Sequence, residues 1–225
     1  MIVFDKVNKQ YGGRKVLDNV TLKIEPQEFV SIIGPSGAGK STLIHALIGA
    51  EKLNSGQIFV DDYHVHVMSE NALQLFRRKL GIVFQDYKLI PSKNVFENVA
   101  FALEATGSSN SYIKEKVNEV LDLVGLAELK GHFPYQLSGG EQQKVAIARA
   151  LAHDPKLVIA DEPTGNLDPK SAKEILDLFK KINKNGATVL FASHNKGLVD
   201  KLKKRVVRLE DGKVISDEAH GKYEF

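Results

Sequence analysis

Residues 34–42 read Gly34-Pro35-Ser36-Gly37-Ala38-Gly39-Lys40-Ser41-Thr42, and no other stretch limits the fold as tightly. Two glycines, a lysine and a hydroxyl stand at the offsets G-x-x-x-x-G-K-[ST]. An apolar, largely β-branched run at 29–33 precedes them, and 41–48 follows with apolar residues at helical spacing. The expectation is a strand, a tight loop and a helix in immediate succession. Glycine tolerates positive φ and close backbone approach, so several N–H groups of such a loop converge on one anion while the helix offers its positive end. Phosphate suits that arrangement, with Lys40 reaching the β/γ-phosphates of a nucleotide and Ser41 reaching Mg²⁺.

A chain of 225 residues with 43% hydrophobic content can bury a substantial core. Net charge +3 with 26% charged residues is nearly balanced, which speaks against a nucleic-acid partner. The absence of cysteine excludes disulfides and thiolate zinc sites and suits a reducing cytosol. No apolar run reaches spanning length, and no charged segment precedes an apolar one at the N-terminus. The chain is expected to be neither secreted nor membrane-inserted by itself.

Ile2, Phe4 and Val7 are spaced as in an edge strand, 16–24 alternates again, and Tyr11-Gly12-Gly13 predicts the turn between them. With a strand at 56–60 and a turn at 61–63, these form an antiparallel layer. A short helix is expected over 73–80 and a buried strand over 81–84, ending at Gln85. The texture then changes, with helices expected over 96–103, 113–124 and 141–152. From 156 onward strands (157–160, 188–192, 206–209, 213–215) alternate with helices (171–182, 198–202), which implies a parallel sheet. The reading is one domain, 1–225, with a nucleotide-binding core in 1–85 and 156–225 and an inserted helical subdomain in 86–155.

Leu157-Val158-Ile159-Ala160-Asp161-Glu162 ends an apolar strand in two carboxylates. Open α/β folds bind ligands at that edge of the sheet, so Asp161 is placed to join Ser41 at Mg²⁺ and Glu162 to polarise an attacking water. Capping the next helix is the plainer use of such acids. In Leu137-Ser138-Gly139-Gly140-Glu141-Gln142-Gln143, Ser138 opens the following helix as a cap. A cap explains the serine but not the two glycines beside it. Exposed N–H groups, a hydroxyl and a helix N-terminus together make a second anion site.

In their order along the chain these motifs resemble the ATP-binding cassette (ABC) ATPase family. Gly34 to Thr42 corresponds to Walker A, Gln85 to the Q-loop, Leu137 to Gln143 to the signature, Leu157 to Glu162 to Walker B, Asn166-Leu167-Asp168 to the D-loop and His194 to the switch histidine. The resemblance implies an α/β fold of the P-loop NTPase type: a RecA-like parallel sheet core, an antiparallel β layer and an inserted α-helical signature subdomain. It implies ATP and Mg²⁺ as cofactors and a homodimer across ATP, each signature facing the other subunit's phosphate loop. On this resemblance Tyr11 stacks on adenine, and Gly34, Pro35, Ser36, Gly37, Ala38, Gly39, Lys40, Ser41 and Thr42 hold the phosphates. Ser138, Gly139, Gly140 and Glu141 meet the nucleotide of the twin subunit, and Asp168 crosses the interface. Ser41, Gln85 and Asp161 serve the metal. Glu162 is the catalytic base, with His194, Gln85 and Lys40 completing the catalytic set.

Residues 81–103 are most similar to the cell-division branch of the family. That likeness implies an FtsX-type integral membrane protein as partner, control of peptidoglycan hydrolases through it, and a place at the cytoplasmic face of the cell membrane with membrane contact through the partner. The run Ala160 to Asp168 is equally similar to the ATPases of lipoprotein-releasing and macrolide-type exporters, and that alternative stays open. Three positions depart from the family pattern: Gln27 stands where Pro-Gly-Glu is usual, Lys144 replaces a common arginine, and Asn195 follows His194 where an acid is frequent.

Overall fold

The computed structural model describes residues 1–219. β1 (Ile2–Tyr11) and β2 (Arg14–Ile24) form a hairpin, and β3 (Phe29–Ile33) runs through the glycine loop into α1 (Lys40–Leu47). β4 (Ser55–Val60), β5 (Tyr63–His64) and α2 (Glu70–Arg77) lead to β6 (Leu80–Phe84). Three helices follow, α3 (Val95–Glu104), α4 (Asn110–Val124) and α5 (Gly139–Leu151). Then come β7 (Leu157–Asp161), α6 (Pro169–Lys184), β8 (Thr188–Ser193), α7 (Lys196–Leu202), β9 (Arg205–Glu210) and β10 (Lys213–Glu218).

The main sheet has the order β10-β9-β3-β8-β7-β6, parallel throughout except for β10, which adds an antiparallel edge. β3, β7 and β8 are buried at every residue, as strands covered on both faces must be. Their alternate side chains feed two separate cores, the period of two that a pleated strand imposes. Val30, Ile32, Ile159, Leu190 and Ala192 pack with α1 and the antiparallel sheet β2-β1-β4-β5. Phe29, Val158, Ala160, Val189 and Phe191 pack with Val99, Val117, Val145 and Phe179 of the helices. The helices of 86–155 thus share one apolar cluster with the central sheet.

Strand register levels the functional edge. Phe84 lies opposite Asp161, Asp161 opposite Ala192, and Ile33 opposite Ser193. Gln85, Asp161, Glu162, His194 and Gly34 consequently emerge along a single line at the C-terminal ends of four strands.

Some boundaries differ from the sequence expectation for local reasons. α2 starts at Glu70, because Ser69 caps it by accepting from the Ala72 N–H at 3.4 Å. It stops at Arg77, because Leu80 is drawn into β6 opposite Leu157. β10 runs on to Glu218 along β9. Gln27 takes φ 65° in its turn and donates its N–H to Thr188 Oγ1 at 2.9 Å.

Candidate active site

The glycine loop is shaped by close approach. Gly34 has φ 152°, and a Cβ there would lie 2.0 Å from the Leu209 carbonyl oxygen, so a side chain at this exit from β3 cannot coexist with β9. Lys40, 5% exposed, donates from Nζ to Gly34 O at 2.9 Å and Pro35 O at 3.1 Å, and the same ammonium lies 3.4 Å from Glu162 Oε1. It therefore braces the loop and faces the second acid of β7's end.

Ser41 Oγ donates to Asp161 Oδ1 at 3.0 Å. Burial, only partly offset by the Ser41 hydrogen bond, pushes the Asp161 carboxyl above the usual carboxylate range. A hydroxyl and a carboxylate are the hard oxygen donors that Mg²⁺ takes, and this ion typically combines one or two carboxylates with substrate phosphates. The Ser41 hydroxyl and the Asp161 carboxyl supply two such oxygen donors side by side, a set that fits Mg²⁺ completed by phosphate oxygens.

Glu162 follows β7 with φ 51°, a left-handed backbone uncommon for glutamate, and its N–H donates to Ala192 O at 3.1 Å. His194 Nδ1 lies 2.5 Å from Glu162 Oε2. An ionised carboxylate only accepts, so the ring donates from Nδ1. Gln85 Nε2 donates to Asn166 Oδ1 at 3.1 Å, and Asn166 Nδ2 donates back to Gln85 O at 3.4 Å. Ser36, Gly37, Gly39, Lys40, Ser41, Thr42, Gln85, Glu162 and His194 line one cavity of about 390 Å³, together with Val16 from β2.

The remaining candidate residues stand outside that cavity. Tyr11 is 44% exposed, with Lys9 Nζ 4.6 Å from its ring centroid. Burial and the Glu51 carboxylate raise its hydroxyl above the ordinary value. Ser138 and Glu141 form a capping box on α5: Glu141 N–H donates to Ser138 Oγ at 3.4 Å, while Glu141 Oε2 accepts from Ser138 N at 2.8 Å and Ser138 Oγ at 2.7 Å. Both donors of Ser138 are thus spent on Glu141 within the single chain. Gly139 follows the cap, and a Cβ at Gly140 would lie 2.9 Å from Ser171 Oγ, which lets α5 start hard against α6. Asp168 caps α6 by accepting from Lys170 N at 2.9 Å and Ser171 N at 3.1 Å. Of the departures noted above, Lys144 pairs with Glu174 at 2.7 Å, and Asn195 caps α7 through Leu198 N at 3.2 Å.

Sequence reasoning did not find the Asn166 side chain as Gln85's partner, nor Val16 as a cavity wall. Asn166 lies within the D-loop motif, but that motif does not mark its side chain as a partner of Gln85, and no motif marks Val16; the approach of β2 and of the residues after Glu162 reveals both.

Comparison with known proteins agrees with this geometry. The family model described as ABC transporter matches residues 17–165. The chain is 50% identical to the cell division ATP-binding protein FtsE of Bacillus subtilis, covering 99% of this chain and 98% of that protein. It is 41% identical to FtsE of Escherichia coli over 98% of this chain and 100% of that protein. Among solved structures, a dimeric ATP-binding cassette in a post-hydrolysis state bound to ADP and Pi superimposes with a TM-score of 0.89 at 36% identity, covering 99% of this chain and 100% of that one. With this fold, these motifs and these relatives, the chain belongs to the ABC transporter family, in the group of FtsE cell-division ATP-binding proteins.

Proposed function

We propose that this protein hydrolyses ATP between two copies of itself and passes the movement to an FtsX-type membrane protein that regulates peptidoglycan hydrolases in cell division. The observation that carries the chemistry is the Glu162 carboxylate, held between Lys40 and His194 at the mouth of the phosphate loop. The loop N–H groups and Lys40 bind the phosphates, and Lys40 exchanges its contacts with Gly34 O and Pro35 O for phosphate oxygens. Glu162 takes the proton of a water attacking the γ-phosphate in line, and His194 fixes the orientation of that carboxylate. Ser41, Asp161 and Gln85 hold Mg²⁺, which supplies neutralisation of the charge on the phosphates.

The site of one chain lacks a cover. Ser138, Gly139, Gly140, Glu141 and Asp168 lie outside the Lys40 cavity, and two similar solved cassette structures are described as dimeric. Two copies head to tail bring the signature of each onto the nucleotide of the other. Tyr11, at the end of β1, provides the aromatic face for adenine.

No helix among the described residues is long and apolar enough to cross a membrane. On this reading, contact with the membrane runs through the FtsX-type partner. A groove of about 410 Å³ between α2, β6, α3 and the end of α5 is lined by Arg77, Ile82, Phe101, Ala105 and Ala150 among others, with Phe101 46% exposed. An apolar floor with basic sides receives a short segment of the partner at the cytoplasmic face of the membrane. Phe101→Glu is expected to lower co-purification of the FtsX-type protein at least about tenfold, as expected for a central aromatic anchor. ATP binding by the variant controls for folding. Retained co-purification would remove this groove as the docking site, and recovery of a large-domain exporter subunit instead would overturn the division role.

A further inference from the structure

Helix α5 grips the backbone on both sides of Gln85. Gln143, fully buried, donates from Nε2 to Phe84 O at 3.4 Å. Arg149, two turns further along, donates from Nη1 to Lys88 O at 2.7 Å and from Nη2 to Tyr87 O at 3.0 Å.

The segment so held does not rest in a relaxed conformation. Tyr87 has φ 58° and Lys88 φ 49°, two consecutive side-chain-bearing residues in the left-handed region. The Lys88 N–H closes a three-residue turn onto Asp86 O at 2.5 Å, a form that is rare because it is strained. A strained turn persists only where its surroundings over-determine it. Arg149 supplies that constraint. Its planar fork presents two N–H groups to two successive carbonyls, a geometry a lysine ammonium does not reproduce. No carboxylate pairs with the guanidinium among the described residues, and desolvation holds its proton affinity below the ordinary value. The half-buried charge is therefore committed to the carbonyls.

We propose that Arg149 is a positioning residue for ATP hydrolysis: by clamping the carbonyls of Tyr87 and Lys88 it fixes where the Gln85 amide stands in the phosphate cavity. This rests on the reading of Gln85 as part of the hydrolytic site. Gln85 leaves β6 directly into this turn, and its amide reaches both the cavity and Asn166. A turn allowed to relax carries that amide away from the cavity while leaving the phosphate loop untouched.

The test is steady-state phosphate release and ATP affinity of the full chain carrying Arg149→Lys, Arg149→Lys with Lys88→Gly, and Gln85→Ala. Arg149→Lys is expected to lower kcat at least about fivefold with the Kd for ATP changed less than about twofold, because misplacement of a positioning group acts on the chemical step. Adding Lys88→Gly is expected to restore about half of the lost rate, since glycine adopts positive φ without strain and the turn then holds without the fork. A kcat unchanged in Arg149→Lys, or a loss that Lys88→Gly leaves in place, overturns the proposal. If Gln85→Ala itself hydrolyses ATP at the parent rate, the reading of Gln85 fails first. If Gln85→Ala is slow and Arg149→Lys is not, the clamp alone is wrong. Should the lysine variant not fold, Arg149→Gln, which keeps a donor, carries the same expectations.

Discussion

Glu162→Gln is expected to lower steady-state phosphate release by at least about a hundredfold while ATP still binds, the usual contribution of a positioned general base. The amide keeps the size of the side chain and an oxygen that accepts from His194 Nδ1, now 2.5 Å from the carboxylate. It removes the basicity. Because the left-handed backbone at Glu162 and its N–H bond to Ala192 O at 3.1 Å are main-chain features, the loop keeps its shape. In the proposed dimer, ATP that binds but is not hydrolysed would hold the two copies together, so the same variant should sediment as a dimer with ATP and as a monomer without it. Phosphate release within about threefold of the parent chain would reject Glu162 as the base.

Lys40→Ala acts earlier, on binding. Lys40 is almost wholly enclosed, and its ammonium makes contacts with two loop carbonyls and with Glu162. Truncation removes a charge-assisted contact to phosphate worth about 1.5–3 kcal/mol, so the Kd for ATP should rise roughly tenfold to more than a hundredfold. Gly34 O and Pro35 O also lose their donor, and the loop loses its brace before nucleotide arrives. Lys40→Arg should not restore affinity, because the broader planar head does not fit the space between the two carbonyls. Titration with a fluorescent ATP analogue reads the effect, and an unchanged Kd in Lys40→Ala would show that the phosphates sit elsewhere.

The parts of this site that were legible in the sequence are those in which residue type dictates backbone form. Gly34 and Lys40 announce a loop at a strand's end, and an apolar run stopping at Asp161 and Glu162 announces a sheet edge. Strand register then lines up Gln85, Asp161 and His194, and that alignment follows from the parallel pairing inferred from the strand–helix alternation. The start of α5 was less legible. Two glycines argue against helix, yet the Ser138–Glu141 capping box carries the helix back to Gly139. The same box bears on the proposed closure: Glu141 occupies the hydroxyl and N–H of Ser138, and in the proposed dimer the twin's phosphate would have to displace it. Strain was not legible at all. Glu162, Tyr87 and Lys88 adopt positive φ without being glycine or asparagine, and no local pattern encodes a contact such as that from Arg149 to Lys88 O, 61 residues away in sequence.

The closure of the site by a second copy is open to a direct measurement, because the chain contains no cysteine. Ser36→Cys and Ser138→Cys, introduced together in the Glu162→Gln background, place the only two thiols on the phosphate loop and on the signature corner. Mild oxidation with ATP and Mg²⁺ should yield a disulfide-linked dimer on a non-reducing gel. It should fall to background without nucleotide or when Lys40→Ala is added. Failure to cross-link at saturating ATP, or an equal yield in its absence, would contradict a nucleotide clamped between twin chains.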